Sequence, residues 1–178
     1  MAQTETLPVA LPTLELPTTE RKTWISYPQQ ETLKQAIMAL QAALGDGLMS
    51  VVLFGSRSRG EAHEGSDWDL LIIAEGLPEK PFERRLFLKR LLPPGCVEAV
   101  SFLARTPEEF EGHIPSLYLD IALDGQILYD PRGYATERLS MLRHLIDRMG
   151  LYRERTEAGD LWRWRKEPHG PWALEWGK

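Results

Sequence analysis

This chain of 178 residues contains a single cysteine, Cys96, and no asparagine. A single cysteine excludes an intramolecular disulfide and a metal centre built from several thiolates. No apolar run approaches the ~20 residues that a membrane-spanning helix needs. The N-terminus also lacks the basic and apolar regions of a signal peptide. We therefore expect a cytoplasmic protein without a membrane-bound segment.

The chain also has no excess of basic residues, since its net charge is −5. Proteins that bind nucleic acid without sequence preference are usually basic, so no stable DNA binding is expected. The length indicates one domain with extensions. We predict an extended or disordered tail over 1–20, a single domain over 21–150 and a tryptophan-rich extension over 151–178 that packs on it. A hairpin is predicted around 167–171.

Between residues 29 and 149, apolar residues repeat with helical spacing in some segments and form short β-branched runs in others. Glycine and proline separate these segments. The predicted helices are 29–44, 81–92, 107–111, 115–123 and 135–149, and the predicted strands are 49–54, 69–74, 96–104 and 126–129, the last at an edge. This order predicts an α/β fold of the α+β type, a small mixed β-sheet with flanking helices.

The segment between the first two predicted strands begins with Gly55 and Ser56. Glycine permits a positive φ or a close backbone approach. Ser56 offers a hydroxyl and a backbone N–H at the start of a short helical turn, which suits phosphate oxygens. Arg57 and Arg59 add cations nearby, and whether either contacts phosphate stays open. The segment is a candidate phosphate-binding loop.

Asp67 and Asp69 stand two residues apart at the start of the second predicted strand. Residues i and i+2 of a strand point to one face, so their carboxylates repel each other unless a cation lies between them. Mg²⁺ accepts one or two carboxylates together with substrate phosphates. The pair is therefore a candidate metal site.

Glu98 is the only charged residue within the third predicted strand. A charge among apolar neighbours requires a partner. If this strand adjoins the second, Glu98 can complete a two-metal site with the aspartates and accept a proton from an acceptor hydroxyl. The alternatives are a glutamate that faces water at an edge or one that pairs with an arginine.

Together these residues resemble the signature of the DNA polymerase β-like nucleotidyltransferase superfamily, and most closely its minimal nucleotidyltransferase (MNT) branch. The signature joins Gly55-Ser56 and Arg59-Gly60 to Ser66-Asp67-x-Asp69-Leu70. The resemblance implies a nucleotide site at Gly55, Ser56, Arg59 and Ser66, and Asp67, Asp69 and Glu98 as catalytic metal ligands. It also implies two Mg²⁺ ions, which Mn²⁺ can replace, and ATP or another NTP as substrate. Two residues depart from the pattern, Ser58 for the usual alanine and Glu98 for an aspartate.

The MNT resemblance implies transfer of a nucleoside monophosphate, AMP by preference, to an acceptor with release of pyrophosphate. Members of this branch include antitoxins that attach AMP to a HEPN-type partner toxin, so such a partner is expected. Two alternatives stay open. One is a small-molecule acceptor similar to an aminoglycoside, and the other is a non-catalytic nucleotide-binding or antitoxin module. The acceptor and the presence of a homo-oligomer are also open.

Overall fold

The computed structural model of the protein describes residues 27–156, 159–166 and 174–176. Helices and strands alternate through the first of these ranges, except that two helices, Pro107–Gly112 and Ser116–Asp124, follow each other directly. The helices are α1 (Tyr27–Leu44), α2 (Gly55–Arg59), α3 (Pro81–Leu91), α4 (Pro107–Gly112), α5 (Ser116–Asp124) and α6 (Tyr134–Arg148). The strands are β1 (Leu48–Phe54), β2 (Trp68–Ala74), β3 (Val100–Arg105), β4 (Gln126–Tyr129), β5 (Leu151–Thr156) and β6 (Gly159–Trp164). The tail predicted over 1–20 and the hairpin turn predicted at 167–171 lie outside the described residues.

Four strands form one mixed sheet in the order β3-β2-β1-β4. Strand β1 is antiparallel to both β2 and β4, whereas β2 is parallel to β3. The predicted fold class, a small mixed sheet with flanking helices, is confirmed, and β4 lies at the predicted edge. No helix among the residues that the structure describes is long and apolar enough to cross a bilayer.

Strand β2 separates two apolar clusters because successive side chains of a strand point to opposite faces. Leu70 and Ile72 belong to the cluster that α1 and α3 cover. Leu71 and Ile73 belong to the cluster that α5 and α6 cover. Asp69 has the parity of Leu71 and Ile73, so its side chain projects from the face of the sheet that α5 and α6 cover.

Strand β3 is shorter than predicted, because it begins at Val100 instead of residue 96. Residues 94–99 form a turn. Strand β2 begins at Trp68, whose N–H donates to the carbonyl of Ala99 at 2.8 Å. Residues before Ala99 therefore have no strand beside them with which to pair. The prediction that Glu98 lies within a strand is wrong.

A separate hairpin of β5 and β6 follows α6. Trp162 and Trp164 pack against the apolar cluster under α5 and α6. Arg153 joins the hairpin to α5, since its guanidinium donates to Asp124 at 2.5 and 3.0 Å. The described hairpin thus lies at 151–164, ahead of the predicted turn.

Candidate active site

The turn from β1 into α2 brings Gly55 against the first residues of β2. Phe54 pairs with Asp69 in the antiparallel register, and Gly55 has a φ of +76°. A Cβ atom on Gly55 would lie 2.3 Å from Oδ2 of Asp69. Only glycine fits this position, because any side chain would be strained and would displace the carboxylate.

Arg57 fixes the backbone of the segment that carries the aspartates. Its Nε donates to the carbonyl of Ser66 at 2.9 Å and to that of Asp67 at 3.2 Å. Its guanidinium lies 4.3 Å from the centre of the buried Trp68 ring, a cation–π contact. Burial lowers the pKa of Arg57, while Asp67 and Asp69 oppose that shift. Arg57 is a structural residue of the loop, with its side chain turned to the protein.

Asp67 is exposed just before β2, whereas Asp69 is partly buried within it. The pKa of Asp69 is raised, first by burial and then by the negative charge of Asp67, and Arg59 and Arg57 only partly offset these effects. The ionised pair therefore carries unfavourable charge that a bound cation would neutralise. Two neighbouring carboxylates at the start of β2, one exposed and one partly buried, fit Mg²⁺, which takes its remaining ligands from water and substrate phosphates.

Ser101 on β3 is a site residue that the sequence analysis missed. The parallel register pairs Asp69 with Ser101, and Ser101 Oγ donates to Oδ2 of Asp67 at 3.1 Å. This hydrogen bond orients the more exposed of the two carboxylates. The only signal in the sequence is a small hydroxyl residue within an apolar strand, and its significance depends on the strand order.

Glu98 is not brought to the aspartate pair. It is exposed in the turn before β3, at the sheet edge where Trp68 and Ala99 meet. Within residues 27–156, 159–166 and 174–176, no group of three His, Cys, Asp or Glu side chains is placed to share a metal ion. The role of Glu98 as third ligand stays a prediction.

The other predicted nucleotide-binding residues lie in and beyond α2. Ser56 is partly exposed at its first turn. Arg59 forms an ion pair with Glu61, with 2.7 Å between Nε and Oε2. Ser66 closes the loop, because its N–H donates to His63 O and its Oγ accepts from His63 N, both at 3.0 Å. Ser66 therefore shapes the loop, and all three side chains are partly exposed.

A cleft of about 460 Å³ opens beside Gly55 and Arg59. Helix α5 supplies one wall through Leu117 and Ile121, and the β5–β6 hairpin supplies the other through Arg155. The volume lies in the range of small-molecule sites. The cleft reaches Gly55, and the Asp69 carboxylate lies against that glycine.

The family model described as "Nucleotidyltransferase domain" matches residues 33–137. The chain belongs to this family. The match contains the entire segment from Gly55 to Asp69 and confirms the resemblance drawn from that signature. The predicted class of enzyme, a nucleotidyltransferase, is confirmed at this level.

Two curated relatives of this nucleotidyltransferase are proteins of Methanocaldococcus jannaschii for which a protein adenylyltransferase activity is proposed. One is 40% identical over 60 residues, which are 34% of this chain and 41% of the relative. The other is 28% identical over 102 residues, which are 57% of this chain and 98% of the relative. The chain thus spans less than half of the first relative and nearly all of the second.

Solved structures with a similar arrangement include a toxin–antitoxin complex with AMP-PNP, at 22% identity and a TM-score of 0.44, covering 64% of this chain and 89% of that one. Another is a tri-AMPylated HEPN toxin of Shewanella oneidensis in complex with an MNT antitoxin, at 20% identity and a TM-score of 0.44. That likeness covers 67% of this chain and 91% of the other. Both scores are too low to bear on the activity or partners of this nucleotidyltransferase.

Proposed function

We propose that this chain transfers AMP from ATP to a hydroxyl group of a partner protein, with Mg²⁺ as cofactor. The observation that carries the proposal is that Asp69 lies against the glycine turn of a nucleotidyltransferase domain, with Asp67 two residues before it. This arrangement supports a cation site next to the candidate phosphate loop. Phosphoryl chemistry depends mainly on such positioning and on electrostatic stabilisation.

In the proposed reaction, Gly55 and Ser56 bind the triphosphate, and Asp67 and Asp69 would hold Mg²⁺. The bound ion would supply positive charge to neutralise that on the phosphate oxygens. The acceptor oxygen attacks the α-phosphorus in line, its bond to phosphorus forms, and the bond to the bridging oxygen of pyrophosphate breaks. The acceptor proton passes to a carboxylate or to solvent, and Glu98 is the proposed residue for this step and for the third ligand position. The role of Arg57 and Ser101 is to hold the aspartates in place before the reaction.

A protein acceptor is supported by two observations. The curated relatives carry a proposed protein adenylyltransferase activity, and the signature from Gly55 to Asp69 resembles that of MNT antitoxins. We propose a HEPN-type toxin as the partner. Modification of the toxin by AMP would then silence it.

A second candidate function is a non-catalytic nucleotide-binding module. The position of Glu98 in an exposed turn favours it, because the described residues present two converging carboxylates instead of three. Such a module would bind ATP and the partner without releasing pyrophosphate. Pyrophosphate release therefore distinguishes the two functions.

The test incubates the protein with α-³²P-ATP, Mg²⁺ and a co-expressed HEPN partner from the source genome. Asp67→Ala and Asp69→Ala variants, checked for folding by circular dichroism, serve as controls. Label on the partner with wild type alone would support the proposal. Labelled small molecules in place of protein would redirect it to a small-molecule acceptor. ATP binding without any labelled product or pyrophosphate would establish the binding module instead.

A further inference from the structure

Glu61 links the phosphate loop to the C-terminal hairpin. One of its oxygens, Oε2, lies 2.7 Å from Nε of Arg59, and the other, Oε1, lies 2.8 Å from Nη1 of Arg155. Arg59 follows the glycine turn on α2, whereas Arg155 belongs to β5. One carboxylate thus joins two guanidinium groups that come from different elements and line the cleft beside Gly55.

Arg59 and Arg155 share a single carboxylate in their ion pairs. Glu61 supplies one negative charge to the two guanidinium groups. Three other acidic residues that line the cleft, Asp120, Asp124 and Asp160, all converge on Arg153 at 2.5 to 3.5 Å. An anionic ligand in the cleft can therefore compete with Glu61 for either guanidinium group.

Arg155 is both accessible and held on a fixed support. Its side chain is 61% exposed, so its guanidinium can turn to a ligand. Two residues earlier on the same strand and the same face, Arg153 is only 12% exposed and anchors the hairpin to α5. Trp162 on β6 adds a hydrogen bond from Nε1 to Asp120 at 3.1 Å. The hairpin lies beyond residue 137, where the family match ends.

We propose that Arg155 is a further nucleotide-binding residue, which joins Arg59 in binding the terminal phosphates of the nucleoside triphosphate. The ligand class is a polyphosphate anion, either the triphosphate or the pyrophosphate product. Glu61 holds both guanidinium groups in place until the anion enters the cleft. This inference rests on the proposed function, because it assigns the cleft to the same nucleotide.

The test measures the affinities of ATP, pyrophosphate and AMP by calorimetry with Mg²⁺ present. Arg155→Ala should weaken ATP and pyrophosphate binding about tenfold or more, the scale of a lost charge-assisted hydrogen bond, and leave AMP unchanged. The matched control is Arg163→Ala, since Arg163 stands on the same hairpin and pairs with Glu154 of the adjacent strand. That variant should bind all three ligands as wild type does.

Glu61→Gln separates anion binding from hairpin docking. If Arg155 binds phosphate, removal of the competing carboxylate should tighten pyrophosphate binding. If the network only holds the hairpin, Glu61→Gln and Arg155→Ala should weaken all three ligands together, and that result would overturn the proposal. Wild-type affinities in Arg155→Ala would overturn it as well while leaving the proposed function intact. A wild-type protein that binds neither ATP nor pyrophosphate would overturn both.

Discussion

Gly55 and Asp69 approach each other so closely that no side chain fits between them, because a Cβ atom on Gly55 would lie 2.3 Å from the Asp69 carboxylate oxygen. The contact joins the turn after β1 to strand β2, which carries Asp69. The proposed phosphate loop and the proposed cation site are therefore built as one unit. A change in one must displace the other.

The first prediction concerns this contact. Gly55→Ala should abolish nucleotidyl transfer and lower the free energy of unfolding by more than the ~1 kcal/mol that a positive φ costs alanine. Gly60→Ala is the matched control, because Gly60 has a φ of +73° and nothing within 4 Å of its Cβ position. Chemical denaturation and label transfer of both variants check this. Equal losses in the two variants would show that the contact with Asp69 has no effect.

Asp69→Asn should lower the activity and raise the stability of the protein. Without Mg²⁺, the ionised Asp69 is unfavourable because burial and Asp67 raise its pKa, so its neutral replacement should raise the melting temperature by about 2–4 °C per kcal/mol relieved. The gain should be absent below about pH 4, where an aspartic acid is protonated in folded and unfolded chains, and grow as the pH rises.

Calorimetric scans with and without Mg²⁺ test the Asp69→Asn prediction. Mg²⁺ should raise the melting temperature of wild type and not that of the variant. Asp147→Asn, on the exposed side of α6, controls for the loss of one negative charge. A melting temperature below that of wild type in metal-free buffer would contradict the argument from charge repulsion.

Ser101→Ala should weaken metal binding without unfolding the protein. The lost hydrogen bond to Asp67 is worth about 1 kcal/mol, so Mn²⁺ affinity should fall roughly threefold to tenfold, as measured by electron paramagnetic resonance. Ser101→Thr retains the hydroxyl and should restore binding. Wild-type Mn²⁺ affinity in Ser101→Ala would remove Ser101 from the site.

Glu98→Gln tests the predicted third ligand against the position found for it. If the turn before β3 carries Glu98 to the metal in the loaded enzyme, the variant should need more Mg²⁺ for half-maximal transfer and lose turnover by about 100-fold or more, the usual effect of a general base. Asp46→Asn, in the turn before β1, is a control. Unchanged transfer would mean that two carboxylates suffice.

Glu109→Gln should destabilise the fold at neutral pH, away from the site. Arg84 is only 5% exposed and holds Glu109 through contacts of 2.5 and 2.8 Å. Loss of the carboxylate leaves this guanidinium without its counter-charge, at a cost of about 1–2 kcal/mol given the partial exposure of Glu109.

The pH dependence follows from the pKa of Glu109, which the hydrogen bond from Arg84 lowers. Its contribution is complete above the ordinary glutamic acid pKa of about 4.3 and is lost as the pH falls through the lowered value. Urea denaturation of wild type and variant should therefore converge in acid. Glu83→Gln, which breaks the exposed pair with Lys80, should change little at any pH.

The helices and strands of the central domain could be predicted closely because their signals are local. Strand β1 was predicted at 49–54 and is found at Leu48–Phe54. A short apolar run bounded by glycines is typical of a buried strand. The predicted start of strand β3 was wrong. Residues 96–99 lie in a turn, where Cys96 is buried and its thiol donates to the carbonyl of Thr32.

Arg57 and Arg59 show that the sequence could not predict the separate roles of two neighbouring arginines within the site. From the residues alone, a phosphate contact was open for both Arg57 and Arg59, and only Arg59 was included in the predicted nucleotide site. In the structure, Arg57 turns inward to Trp68 and the carbonyl of Ser66, whereas Arg59 lines the cleft. The difference arises because the segment from Ser66 to Trp68 packs beside Arg57. The residues next to Arg57 in the sequence do not indicate that contact.

The sequence by itself predicted a shared face for Asp67 and Asp69, and it determined the glycine turn before them, because strand alternation and glycine conformation act over a few residues. Only the tertiary structure decided that Ser101 orients Asp67 and that Glu61 joins Arg155 to Arg59. Those relationships depend on which strands adjoin and where the hairpin docks. Contacts between distant segments set both, and such contacts leave no periodic pattern in the chain.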